Sequence, residues 1–147
     1  MRLTLQTDYA LRVAIYLAEH PDRLCSISEI ARAYGISHNH LMKVAHGLGK
    51  AGFVASVRGR NGGLRLARPA SEITVGAIVR EMEDGFTLVD CASCIISPLC
   101  GLRGLLGQAT SAFLAVLDAC SLADLHNDRT NVLALLTGVS SAQTQPP

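Results

Sequence analysis

The sequence of 147 residues predicts a mainly α-helical fold with one small β-hairpin. Leu, Ile, Val and Ala are plentiful, aromatic residues make up 4% and Trp is absent, which suits packed helices with short strands. Apolar residues recur at helical spacing along most of the chain, and the pattern gives way to short alternating runs on either side of RGRNGG, residues 58–63. Charge is divided unevenly. Residues 1–68 hold ten basic against four acidic side chains, a net +6, whereas residues 69–147 hold three against eight, a net −5. The first half is therefore built to meet a polyanion and the second to do something else. Together these features read as a winged helix-turn-helix followed by a long dimerisation helix.

Each element has its own justification. In TDYALRVAIYLAEH, Leu11, Ala14, Ile15 and Ala18 share a helical face, Thr7 is the expected N-cap, and Pro21 lies just past the end. SISEIARAY opens with Ser26 and Glu29 at capping-box spacing and runs into Gly35, whose freedom at positive φ suits the turn to the next helix. Ser37 caps HNHLMKVAHGLGKAG, whose buried stripe is Leu41, Val44, Ala45 and Leu48. Two short helices joined through a glycine turn read as a helix-turn-helix. FVASVRGRNGGLRLAR then supplies strands at Phe53–Val57 and Leu64–Leu66, and a basic hairpin after a recognition helix is a wing.

Residues 73–84 form a further helix with Ile78, Val79 and Met82 inward and a cap at Ser71 or Thr74. From Leu102 to Cys120 the apolar positions Leu102, Leu105, Leu106, Ala109, Phe113, Val116, Leu117 and Cys120 form a heptad-like stripe. Such a helix is about 28 Å long at its usual rise. It is expected to dimerise, because small helix-turn-helix proteins span two half-sites as two-fold dimers. The organisation is then a DNA-binding unit at 1–75, a linker helix, cysteine loop and dimerisation helix at 76–126, and a partly disordered segment at 127–147 that contains VLALL and SSAQTQPP.

Base edges would be met near the start of the recognition helix, by Ser37, His38, Asn39, His40 and Lys43. Asn39 can bond an adenine through two hydrogen bonds. Arg58, Arg60 and Asn61 at the wing tip are placed for phosphates or the minor groove of double-stranded operator DNA.

No stretch reaches the roughly 18 to 20 apolar residues of a membrane span, and Asp8, Arg12 and Glu19 stand where a secretory signal needs an apolar run. A cytoplasmic protein is expected, and thiols there stay reduced. Three of the five cysteines, Cys91, Cys94 and Cys100, fall within ten positions. Three thiolates suit a soft metal or an iron-sulfur cluster, while a four-ligand zinc site lacks a nearby fourth donor, since no His lies between residues 47 and 125. A thiol redox pair at Cys91 and Cys94 is disfavoured by Asp90, whose charge opposes a thiolate. Cys25 and Cys120 sit at apolar positions and read as core. No enzyme is indicated: there is no Ser-His-Asp order and no phosphate-cradling loop ahead of a helix.

TDYALRVAIYLA, SISEIARAYGIS, HLMKV, RGRNGGLRLAR and LADL, in this order and with three cysteines before a long helix, resemble the Rrf2 family of bacterial winged-helix repressors over about residues 1–126. TLVDC, PLCGL and FLAVLDACSLADL are similar to its nitric-oxide-responsive branch. The resemblance implies a homodimer that binds promoters while Cys91, Cys94 and Cys100 hold an iron-sulfur cluster, 4Fe-4S rather than 2Fe-2S. It also implies Asp8 as a fourth ligand from the partner's first helix, and nitric oxide as the signal. Iron or redox status, or a thiol or zinc switch, remains the alternative. The chain departs from the family in the short Cys91-x2-Cys94 gap. It also lacks the His after the third cysteine that the cluster-assembly branch uses, reading GLRGLL there.

Overall fold

A computed structural model describes residues 2–125 and Leu136. The elements are α1 (Leu5–Glu19), α2 (Ile27–Tyr34), α3 (His38–Lys50), β1 (Val54–Val57), β2 (Gly63–Leu66), α4 (Val75–Met82) and α5 (Leu102–Asp118), with 3-10 turns at Ala70–Glu72, Ser97–Leu99 and Ala123–Leu125. The predicted disorder at 127–147 falls outside the described residues; Leu136 alone is placed, packed against the core.

α1 begins earlier than expected. Thr4, not Thr7, is the N-cap, its hydroxyl accepting from the Thr7 amide at 3.2 Å. Thr7 is fully buried one turn in. The buried surface of α1 is also wider than one stripe: Ala10, Val13, Ala14, Tyr16, Leu17 and Ala18 are inside, while Leu11 and Ile15 are only half-buried. The reason is that α1 is central, packing on α2, α3, α4 and β2.

The local signals at α2, α3 and the hairpin match, while the helix expected at 73–84 is the shorter α4, capped by Thr74 and ended at Glu83. Ser26 and Glu29 form a reciprocal capping box, Gly35 ends α2 at φ +64°, and Ser37 caps α3. Glu29 also accepts from Arg23 at 2.7 Å and from the Tyr16 hydroxyl at 3.2 Å, so one carboxylate ties α1, the inter-helix segment and the start of α2 together. The hairpin pairs Val54 with Leu66 through Val57 with Gly63. A third piece joins it, because Cys25 and Leu64 exchange both backbone hydrogen bonds, at 2.9 and 2.7 Å. Gly63 is needed there: a Cβ would stand 2.9 Å from the Cys25 carbonyl oxygen. Cys25 is core as expected, and burial pushes its thiol up to about 11.

The main core gathers side chains of α1–α3 and the hairpin with Ile73, Ile78, Met82 and Leu122. A smaller cluster of Val75, Val79 and Leu114, lined by Phe113, Leu117 and Cys120, fixes α5 on α4. Leu114, absent from the heptad-like stripe, is the buried anchor of α5, and Cys120 is half-buried rather than fully inside. Val75 donates to the Cys120 carbonyl at 2.9 Å and Leu122 to that of Ile73 at 2.8 Å, which closes the C-terminal end of α5 on the start of α4.

Candidate functional site

The recognition helix is held by its apolar side. Leu41, Val44, Ala45 and Leu48 are buried, so His38, Asn39, His40 and Lys43 are left on the exposed face. Ser37 also lies exposed, its hydroxyl accepting from the His40 amide at 3.3 Å. Two further residues share this face, Met42 and His46. Sequence reading confined to the helix start missed them, although 3.6-residue periodicity places His46 two turns beyond Asn39.

The hairpin lies beside this face. Asn39, Met42, Lys43 and His46 line one groove of about 740 Å³ with Ser56 and Leu64 of the hairpin. At the tip, Gly59 takes φ +117° and its carbonyl accepts from the Gly62 amide at 3.0 Å. A Cβ on Gly62 would collide with the Val57 carbonyl, so the tip is confined to glycine there. Arg58, Arg60 and Asn61 project from this tip into solvent. Among the described residues the ion pairs are Arg12–Asp8, Arg23–Glu29 and Arg80–Asp118, and none of these involves Lys43, Arg58 or Arg60. Exposed cations on a helix face and at the tip of the adjoining hairpin suit a phosphate backbone.

The start of α1 borders the same surface. Leu5, Gln6 and Tyr9 line a small groove with His40, Lys43 and Val44, and the Tyr9 and His40 rings lie 6.2 Å apart. No sequence motif pointed to this pairing.

The cysteine loop occupies residues 83–101 between α4 and α5, and its one regular piece is the Ser97–Leu99 turn. Asp90 shapes the first part, accepting from the Ala92 amide at 2.9 Å and the Ser93 hydroxyl at 3.1 Å. These bonds hold the Asp90 carboxyl below its ordinary range. The Cys94 carbonyl accepts from the Ser97 amide at 3.1 Å. Cys91 and Cys100 are half-buried, Cys94 is exposed, and all three are free thiols. Cys91 lines a cleft of about 460 Å³ with Phe86 and Leu88 of the loop and Leu106 and Gly107 of α5.

The expected ligands share a loop without forming a ready cage. Among the described residues no three His, Cys, Asp or Glu side chains stand together as a metal site. Asp8 is on α1, its two oxygens taken by Arg12 at 2.9 and 3.0 Å. That hydrogen bond is the main reason the Arg12 guanidinium is raised above its ordinary value.

A recognition helix with an open polar face, a basic wing beside it and a cysteine loop outside the core define a winged helix-turn-helix regulator of transcription. The Rrf2 description, "Iron-dependent Transcriptional regulator", matches residues 3–128, and the chain belongs to this family. It is 47% identical over 142 residues to the HTH-type transcriptional regulator NsrR of Bacillus subtilis strain 168, covering 92% of this chain and 97% of that one. Among solved structures it resembles T. potens IscR, at TM-score 0.72 and 28% identity over 100% of this chain and 94% of that one. It also resembles the oxidized form of Staphylococcus aureus CymR, at TM-score 0.73 and 29% identity over 87% and 98%. The chain is thus a transcriptional regulator and not an enzyme. Among the described residues no helix is long and apolar enough to cross a membrane.

Proposed function

We propose that the chain is a cytoplasmic homodimeric repressor whose affinity for operator DNA is set by an iron-sulfur cluster on Cys91, Cys94 and Cys100, with nitric oxide as the signal that lifts repression. The observation that carries this reading is the gathering of three free thiols on one irregular loop between the helix that closes the DNA-binding core and the helix proposed to dimerise. The donor set fits such a group: thiolates are the preferred ligands of iron-sulfur centres, and a segment almost free of helix and strand can wrap one. A 4Fe-4S cluster is favoured over 2Fe-2S, and Asp8 of the partner's first helix is the proposed fourth ligand. When bound, the cluster supplies iron that reacts with nitric oxide and a tie that joins three thiolates.

The chain's own residues do the rest. His38, Asn39, His40 and Lys43, introduced by the cap at Ser37, address base edges, while Arg58, Arg60 and Asn61 hold the backbone. Dimerisation is supported by apolar surface: Leu102, Leu105 and Val116 on α5 are 47%, 62% and 70% exposed, and Ile95 and Leu99 on the loop are 94% and 97% exposed. Apolar exposure concentrated in one region marks an interaction surface. Two half-sites one turn apart require recognition helices about 34 Å apart, so a loop that sets the angle of α5 against α4 sets operator affinity. A second reading, with iron status as the signal, is favoured by the words "Iron-dependent" in the family description.

Cys100→Ala tests the proposal. The variant is expected to be colourless after anaerobic purification and to bind operator weakly; tight, specific binding by a colourless Cys100→Ala protein would contradict it.

A further inference from the structure

We infer that Glu83 is a positioning residue of the switch, holding the first turn of α1 against the recognition helix from the entrance of the cysteine loop. This rests on the proposed function for what the loop senses, but the grip itself is a matter of geometry. Glu83 is the C-cap of α4 and the first residue of the segment leading to the cysteines. One of its carboxylate oxygens accepts twice from Thr4, from the backbone amide at 2.8 Å and from the hydroxyl at 3.0 Å. These bonds join positions 79 residues apart in sequence.

Thr4 is itself the cap of α1. Its hydroxyl accepts from the Thr7 amide at 3.2 Å and lies 3.0 Å from the hydroxyl of the fully buried Thr7. The unpaired amides of a helix start need such acceptors, and a carboxylate there is favoured by the helix dipole as well. Desolvation, the largest influence on Glu83, acts to raise its carboxyl, yet the hydrogen bonds from Thr7 and Thr4 outweigh it and hold the carboxyl below its ordinary value.

The turn so fixed is the one that borders the DNA-facing surface, because Leu5, Gln6 and Tyr9 sit against His40, Lys43 and Val44. About one turn before Glu83 on α4, Arg80 pairs with Asp118 of α5, with Nη2 to Oδ2 at 2.6 Å. α4 therefore touches the proposed dimer helix through Arg80 and α1 through Glu83. A rearrangement of the loop that re-aims Glu83 withdraws the acceptor from Thr4 and frees the first turn of α1, and with it Tyr9 behind His40. The two sites are then coupled by an element with two arrangements, the physical requirement for allostery.

The test uses Glu83→Ala, Glu83→Gln, Thr4→Ala and Thr4→Ser in the full chain, with two readouts. In metal-free protein, amide exchange at residues 5–9 is followed by mass spectrometry. Loss of an exposed hydrogen bond to a charged group is expected to speed it about three- to tenfold in Glu83→Ala, less in Glu83→Gln, and not in Thr4→Ser. In parallel, operator affinity is measured for iron-loaded and chelator-stripped protein, and the ratio of the two is compared. Glu83→Ala and Thr4→Ala are expected to shrink the wild-type ratio at least about threefold without changing the far-ultraviolet dichroism, while Thr4→Ser preserves it. An unchanged ratio in Glu83→Ala and Thr4→Ala beside a large wild-type ratio overturns the inference alone. A wild-type ratio of one overturns the proposed sensing and the inference with it. Unchanged exchange at residues 5–9 in Glu83→Ala shows that Glu83 has no grip on the turn.

Discussion

Gly76→Ala sets two effects of opposite sign against each other. Gly76 is buried inside α4, where α5 ends against it, and a Cβ there would lie 2.8 Å from the backbone nitrogen of Asp118 and closer still to its carboxylate. Backbone cannot swing aside as a side chain does, so α5 must shift. In an open helix, replacing Gly by Ala gains roughly 1 kcal/mol. Forcing a carbon into a filled contact costs about 1–3 kcal/mol, and the displaced Asp118 also loses its pairing with Arg80. The contact term wins, and a net loss of about 1 kcal/mol is expected, a few degrees in melting temperature for a chain of this size. Urea unfolding of the metal-free protein measures it. Gly104→Ala in α5 is the comparison, since nothing lies within 4 Å of its added carbon, and it should stabilise by up to about 1 kcal/mol. A Gly76→Ala protein as stable as wild type, with α5 still seated, would refute the claim that this crossing is tight.

Three other expectations are simpler to check. Arg60→Ala should weaken binding alike on operator and random DNA and lower the salt slope by about 1, whereas Asn39→Ala should cost about 1–3 kcal/mol on operator only; anisotropy at several salt concentrations separates them. Glu29 accepts from Ser26, Arg23 and Tyr16, and although desolvation is its largest influence and acts upward, those bonds lower its carboxyl below the ordinary value. Its contribution to stability is therefore present above the unfolded value near about 4.3 and lost as pH falls through the lower folded value. Glu29→Gln should flatten the acid limb of a melting-temperature profile between about pH 5 and 3. Brief iodoacetamide treatment of stripped protein at neutral pH should label Cys91, Cys94 and Cys100 and spare Cys25, whose buried thiol stands at about 11, as peptide mass mapping would show.

How much of this was legible in the sequence varies with how local the deciding interaction is. The Ser26–Glu29 box, the Gly35 turn, the Ser37 cap and the hairpin around its glycine-rich tip depend on neighbours within a few residues, and they match the structure. The start of α1 does not. The sequence pattern points to Thr7, but the cap is Thr4, whose amide and hydroxyl donate to an acceptor 79 residues away, Glu83. The breadth of the α1 core and the burial of Leu114 likewise follow from which helices pack on them. At the functional site, the exposed polar face of α3 and the wing tip were readable from amphipathicity and glycine chemistry. The approach of Tyr9 to His40 was not, because it is set by the packing of α1 on α3. The cysteine spacing pointed to a metal-binding loop, but spacing does not fix which side chains meet.

The most direct test of a cluster-controlled repressor is an absorbance spectrum of anaerobically purified protein, titrated with nitric oxide while operator binding is followed in the same samples. A brown protein whose broad visible band and DNA binding collapse together is the predicted result. A protein that stays colourless after attempted cluster reconstitution, and binds operator regardless, would contradict it.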